Sequence, residues 1–168
     1  FIGNLLFDPL RFDDDLTGFK VEDVLMLDIN PANDREKWRI KLRDGIRFHD
    51  GVPLTAADMV YSLQELHKSN ILQDIKSVRA IDELSIEVET DHPTSLIGLP
   101  SNSLIAISRA STPKHPIGTG PFRFGRWLDK GVELQANERY YTGRPRIDKI
   151  VFISEPDERA RLSRLLSG

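Results

Sequence analysis

The sequence predicts an α/β or α+β domain with a mixed sheet, and three observations carry that expectation. Apolar residues alternate with polar ones at Trp38–Leu42 and Leu84–Val88 and pair up again at Phe122/Phe124 and Val132/Leu134, the pattern of strands with one buried face. Two stretches have helical spacing instead: Met59, Val60, Leu63 and Leu66, then Leu162, Leu165 and Leu166. Strands outnumber helices, but helices intervene between them. The 168 residues suffice for one domain with a sizeable core, and residues 1–168 are read as a single domain.

Phe1 to Leu10 is apolar and reads as a helix or as a turn leading into a strand, ending near Pro9. Asp13-Asp14-Asp15 lacks the alternating oxygen ligands and terminal Glu of a calcium loop and reads as a solvated turn. Val24, Leu25, Leu27 and Ile29 predict a strand over residues 21–29, and Asn30 to Asp34 a turn.

Residues 38–69 organise the rest. Trp38, Ile40 and Leu42 alternate with Arg39, Lys41 and Arg43. Asp44-Gly45 ends that strand, Ile46 and Phe48 resume the pattern as a short strand, and Asp50-Gly51 ends it again. Asp-Gly favours turns because Gly tolerates positive φ and Asp bonds nearby backbone. Thr55 suits a helix N-cap, with Asp58 three residues on as a short capping box.

Residues 75–80 and 84–89 predict a hairpin across Asp82-Glu83, with Leu84, Ile86 and Val88 on one face. Phe122 and Phe124, then Val132 and Leu134, predict a second pair of strands. Residues 147–153 are largely apolar and predict a central strand. Asp157 to Gly168 reads as a helix, with Asp157 as N-cap and Gly168 at the C′ position.

Composition narrows the functional classes. A net charge of −3 gives no basic footprint for nucleic acid. The absence of cysteine removes disulfides, thiolate zinc sites and cysteine nucleophiles. No stretch is long and apolar enough to span a bilayer as a helix. The chain opens on Phe1 with no basic-then-apolar leader, so a processed or excised piece is expected.

His49 and Asp50 suggest a base and its orienter, but adjacent strand residues point to opposite faces, and no nucleophile can be placed beside them. A structural turn, with His49 bonding nearby backbone, is the preferred reading, and no catalytic residue is assigned. Gly118-Thr119-Gly120-Pro121 lacks the Gly-Lys-Ser/Thr ending of a phosphate loop and precedes a strand, so a tight bend with close backbone packing is expected. The histidines at 49, 67, 92 and 115 show no zinc spacing, so no metal or cofactor is assigned; His92 and His115 do flank an uncharged segment where a metal chelate would fit. Trp127, Tyr140 and Tyr141 could stack on a ligand, but packing is the preferred reading.

That uncharged segment, Pro93 to Ser108, is the best site candidate, read as loop and short helix. Ser101, Asn102 and Ser103 place small polar groups between apolar ones, a wall suited to a neutral or peptide-like ligand. An exposed capping loop fits the same residues equally. Arg109 could pair with a ligand carboxylate.

Two long blocks carry a resemblance. LRDGIRFHDGVPLTAADMVYSL (residues 42–63) and PIGTGPFRFGRWLDKGVELQANERYYTGRPRIDKIVF (residues 116–152) resemble the two signatures of the family 5 extracytoplasmic solute-binding proteins, which include the oligopeptide-, dipeptide- and nickel-binding proteins of ABC importers. The resemblance implies one lobe, the N-terminal one, of a periplasmic-binding-protein-like type II fold whose second lobe is absent from this chain. It implies a periplasmic or extracytoplasmic binding protein and not an enzyme, a short peptide or similar small solute held between two lobes, and delivery to a membrane permease. No nucleic acid would touch this domain, and a face meant for the missing lobe could support a dimer. The alternative is the ligand-sensing domain of a transcriptional regulator, since this domain type is also attached to DNA-binding regions.

Overall fold

The computed structural model describes residues 2–12, 22–23, 25–31, 36–68, 75–93 and 104–167. Its elements in order are α1 (Gly3–Leu6), β1 (Arg11–Phe12), β2 (Glu22–Asp23), β3 (Met26–Pro31), β4 (Lys37–Leu42), α2 (Ala56–Lys68), β5 (Ile75–Ala80), β6 (Ser85–Thr90), β7 (Phe122–Leu128), β8 (Gly131–Ala136), β9 (Lys149–Ile153) and α3 (Glu158–Ser167). They form sheets of order β1-β2, β3-β4-β6-β5 and β7-β8-β9, and every ladder described is antiparallel.

Alternation sets the larger core. Trp38, Ile40 and Leu42 are buried while Lys37, Arg39 and Lys41 are exposed. On β6, Ile86 and Val88 face the same way and pair with Ile40 and Trp38 of β4. α2 lays Ala56, Met59, Ser62, Leu63 and Leu66 on this face. The opposite face carries charges: Glu87 meets Arg79 at 2.6 Å and Arg39 at 3.7 Å, and Glu89 meets Lys76 at 3.0 Å. These exposed pairs favour the register more than they add stability.

The start of α2 follows the expected capping chemistry in part. Asp58 reaches back so that its carboxylate accepts the Thr55 backbone N–H at 3.1 Å. The Thr55 hydroxyl, however, donates to Asp58 at 2.6 Å and does not accept a helix amide.

The smaller core lies beneath β7, β8 and β9. Phe122, Val132, Leu134 and Ala136 pack with Leu6, and Ile2, Leu5 and Phe7 lie against them. The N-terminal residues thus form a short helix belonging to the far half of the chain. The Gly118–Gly120 turn fixes this junction: Gly120 N–H bonds the Leu6 carbonyl at 3.0 Å. A Cβ at Gly118 would sit 2.1 Å from Leu6 O, and one at Gly120 would sit 2.4 Å from Leu5 O. The close backbone packing expected of these glycines is what the fold uses.

Several local expectations need correction. Residues 46–48 form no full strand. One bridge, Arg47 to Pro53, closes a tiny hairpin with Phe48 N–H on Val52 O at 2.9 Å, between Gly45 at φ 80° and Gly51 at φ 89°. Residues 21–29 yield two strands, β2 and the start of β3, not one. β9 is an edge strand of the described sheet and not a central one, because β8 lies between it and β7. Its apolar count misled because only Ile150 and Phe152 meet the core, while Val151 and Ile153 are 41% and 54% exposed. α3 is capped as expected, with Arg159 N–H on the Asp157 carboxylate at 2.9 Å. None of its residues is buried, and Leu165 and Leu166 are each 79% exposed. The acidic triplet Asp13–Asp15 and Gly168 lie outside the described residues.

Candidate functional site

Ser101, Asn102 and Ser103 also lie outside the described residues, but the chain on either side is held in place. On the approach, Thr90 at the end of β6 bonds the Glu36 carbonyl through its N–H at 2.8 Å and the His92 carbonyl through its hydroxyl at 2.9 Å. On the exit, Leu10 N–H bonds Leu104 O at 2.7 Å, and Pro9 bridges Ile105.

α2 grips the exit from the other side. The fully buried Ser62 hydroxyl accepts the Ile107 N–H at 2.8 Å. Arg109 folds back onto the first turn of α2, where its guanidinium donates to Ala57 O at 3.1 Å, stands 3.5 Å from the Asp58 carboxylate and lies 5.2 Å from the centre of the Tyr61 ring. Arg109 is therefore engaged within the chain, yet its side chain is 60% exposed. The residues that hold it were visible in the sequence only as helix-cap chemistry.

Asp8 is the buried acid that sequence reasoning missed. It is 3% exposed, with its Oδ1 accepting the Tyr140 hydroxyl at 3.1 Å and its N–H directed at Thr119 Oγ1, 3.4 Å away. Its Oδ2 has no partner among the described residues. Burial pushes its pKa up to about 6, against the opposing hydrogen bonds from Tyr140 and Thr119. Tyr140 is pushed upward in turn, first by burial and then by the Asp8 charge. The available signal was an acid between Phe7 and Pro9 in an apolar run.

His49 is a staple and not a base. Its Nδ1 accepts the Gly118 N–H at 3.2 Å, and its Nε2 stands 3.1 Å from the Gly120 carbonyl oxygen. One nitrogen must accept and the other donate, which fixes the neutral Nε2–H tautomer. Burial is the main cause that lowers its pKa. Both ring nitrogens are committed to backbone, so nothing is left to activate a nucleophile.

Of the aromatic candidates, the half-buried Tyr140 donates its hydroxyl to Asp8 and Tyr141 packs against the larger core, while Trp127 is 56% exposed. The Trp127 indole N–H bonds Lys114 O at 2.9 Å, and its ring lies 5.3 Å from Phe124, which meets His115 edge-on at 5.3 Å. Tyr141 lies 4.7 Å from Tyr140 and 5.9 Å from the Arg43 guanidinium. Among the described residues, no three His, Asp or Glu side chains converge as a metal site would require.

Residues 20–168 match the family model described as "Bacterial extracellular solute-binding proteins, family 5 Middle". The chain is 32% identical over 126 aligned positions to protein YhjP of Bacillus subtilis, covering 71% of this chain and 22% of that one. Oligopeptide-binding protein AppA of B. subtilis is 27% identical over 99% of this chain and 35% of its own length. The structure of AppA in complex with a nonapeptide superposes with a TM-score of 0.89 at 24% identity, over 99% of this chain and 37% of AppA. NikZ of Campylobacter jejuni, in complex with Ni(L-His), superposes with a TM-score of 0.86 at 25% identity, over 98% of this chain and 36% of NikZ. The chain spans about a third or less of the length of these relatives.

Proposed function

The chain belongs to the family 5 bacterial extracellular solute-binding proteins, and from that premise we propose that residues 1–168 are the N-terminal lobe of a solute-binding component of an ABC import system. The observation that carries this reading is the one-sided coverage: nearly all of this chain superposes on AppA, but only 37% of AppA is used. The unpacked α3 supports it. A ten-residue helix with no buried residue is marginal in water on its own, and a second lobe would supply its bed. A second copy of this chain on the same face is the competing occupant.

In this reading a short peptide binds between two lobes and stabilises their closed arrangement by its greater affinity for it. The closed protein docks on a permease at the extracytoplasmic face of the membrane. The peptide class follows from the likeness to AppA, whose structure holds a nonapeptide; the likeness to NikZ makes a metal chelate the next class to test. Ser101, Asn102 and Ser103 supply wall contacts, on a segment whose exit α2 fixes through Ser62. Arg109, tied to Asp58 yet exposed, keeps a cationic edge for a ligand carboxylate.

Calorimetric titration with a pool of di- to pentapeptides tests this on two samples, the complete parent polypeptide and this chain alone. Strong binding by the parent and weak binding by this chain is the expected result, because half the contacts are missing. Equal binding by both would overturn the two-lobe reading. Light scattering on this chain separates the two occupants of the α3 face: a monomer favours the second lobe, a dimer the second copy.

A further inference from the structure

Two residues with titratable side chains that the proposed solute site does not use, His49 and Asp8, meet the same three-residue turn. From the larger core, His49 bonds Gly118 N–H and Gly120 O through its ring, and its own N–H bonds Gly118 O at 2.9 Å. From the N-terminal segment, the Asp8 backbone N–H is directed at Thr119 Oγ1, and the Asp8 carboxylate accepts the Tyr140 hydroxyl. The turn has no room to withdraw, because Gly118 and Gly120 lie against the α1 backbone. Asn137 Nδ2 completes the set by donating to Gly120 O at 3.0 Å. These contacts tie the core under the four-stranded sheet to the core under β7, β8 and β9.

We propose that the Gly118–Gly120 turn is a proton-balanced joint between the two cores, in which a proton on His49 breaks its bond to the turn, while the buried Asp8 carboxyl, whose Oδ2 has no partner among the described residues, favours the folded protein once protonated. A proton on His49 Nδ1 would face the Gly118 N–H and abolish that hydrogen bond. The groups acting on the ring are Arg123 and His115, which resist the proton, and Asp50 and the Gly120 carbonyl, which favour it. Burial outweighs the latter, so folded His49 titrates below its ordinary 6.5. Its contribution is complete above about 6.5 and is lost as pH falls. Asp8 faces the Tyr140 phenol and the Thr119 hydroxyl. Folded Asp8 holds its proton up to about 6 against an ordinary 3.8, so its contribution grows as pH falls from about 6 towards 3.8. The two linkages have opposite sign and overlap, and each conceals the other in the intact protein.

The test is chemical denaturation of the protein, His49→Gln and Asp8→Asn between pH 7.5 and 4.5, read as each variant's folding constant relative to the parent. On acidification the His49→Gln ratio should rise and the Asp8→Asn ratio should fall, each by up to about tenfold per pH unit where its group titrates. Two ratios that stay flat, or that move in the same direction, overturn the joint. Should either variant fail to fold, NMR on the unmodified protein decides. His49 should hold the Nε2–H tautomer and titrate below 6.5, and hydrogen exchange at the Gly118 amide should quicken as it does. An amide indifferent to His49 protonation overturns the proposal equally.

Discussion

The Ser62 hydroxyl on α2 stands 2.8 Å from the Ile107 amide nitrogen and 3.2 Å from the Ile107 carbonyl oxygen, across 45 positions of sequence. It accepts from the amide, while its own proton has the Asp58 carbonyl at 2.8 Å as the nearer acceptor. One buried oxygen thereby joins the central helix to the exit of the candidate binding segment. Ser62→Ala leaves the Ile107 N–H without its partner and should cost about 1–3 kcal/mol. Urea titration checks this: the midpoint should fall with the slope unchanged.

Asp58 serves both the helix start and Arg109. Asp58→Ala should lower stability by about 0.5–2 kcal/mol, the range for a lost cap. Arg109→Ala should cost no more than about 1 kcal/mol, since its ion pair is largely exposed. Thermal denaturation of the two variants and their double mutant measures the coupling.

Glycine at 118 and at 45 answers to different constraints. Gly45 has φ 80° with nothing within 4 Å of a built Cβ, so Gly45→Ala should cost about 1–2 kcal/mol of backbone strain. Gly118→Ala would drive a methyl into the Leu6 carbonyl and should cost several times more or abolish soluble expression. Soluble yield and thermal midpoints, compared side by side, give the answer.

Tyr140→Phe removes a donor from a carboxylate that is ionised above about pH 6. The loss should be about 1.5–3 kcal/mol at pH 7.5, where the acceptor is charged, and about 0.5–1.5 kcal/mol at pH 5, where it is neutral. The deficit therefore shrinks on acidification. Guanidinium denaturation at the two pH values would refute this if the deficit stayed constant or grew.

Leu165 and Leu166 test the unpacked helix. Either residue changed to Gln should alter the stability of this chain by less than about 0.5 kcal/mol, as at other exposed positions. In the complete parent polypeptide the same change should cost distinctly more if a second lobe covers α3. Calorimetric scans of both proteins separate the outcomes.

Legibility followed the range of the interactions. β4 and β6 could be read from alternation, α2 from Thr55 and its apolar stripe, and the Asp-Gly turns from local backbone chemistry. β9 was misplaced because apolar content does not say whether a neighbouring strand exists. Asp8 was missed because its partners, Thr119 and Tyr140, lie 111 and 132 positions away. His49 was read as a backbone-bonded turn residue, but the turn it bonds is 69 and 71 positions distant. For the candidate site, Arg109 could be named, but its engagement by Asp58 depended on the path of the intervening chain. Ser101 to Ser103 lie outside the described residues.

The placement of α1 also sets a timetable for synthesis. Among the described residues, the buried apolar partners of Leu6 are Phe122, Val132, Leu134 and Ala136, so α1 has no home until β7 and β8 have left the ribosome. At about 5–20 residues per second, the delay is on the order of ten seconds. Throughout that interval α1 lacks its packing partners and is available to a holding chaperone or a translocation channel, and the smaller core closes only once β7 and β8 have emerged.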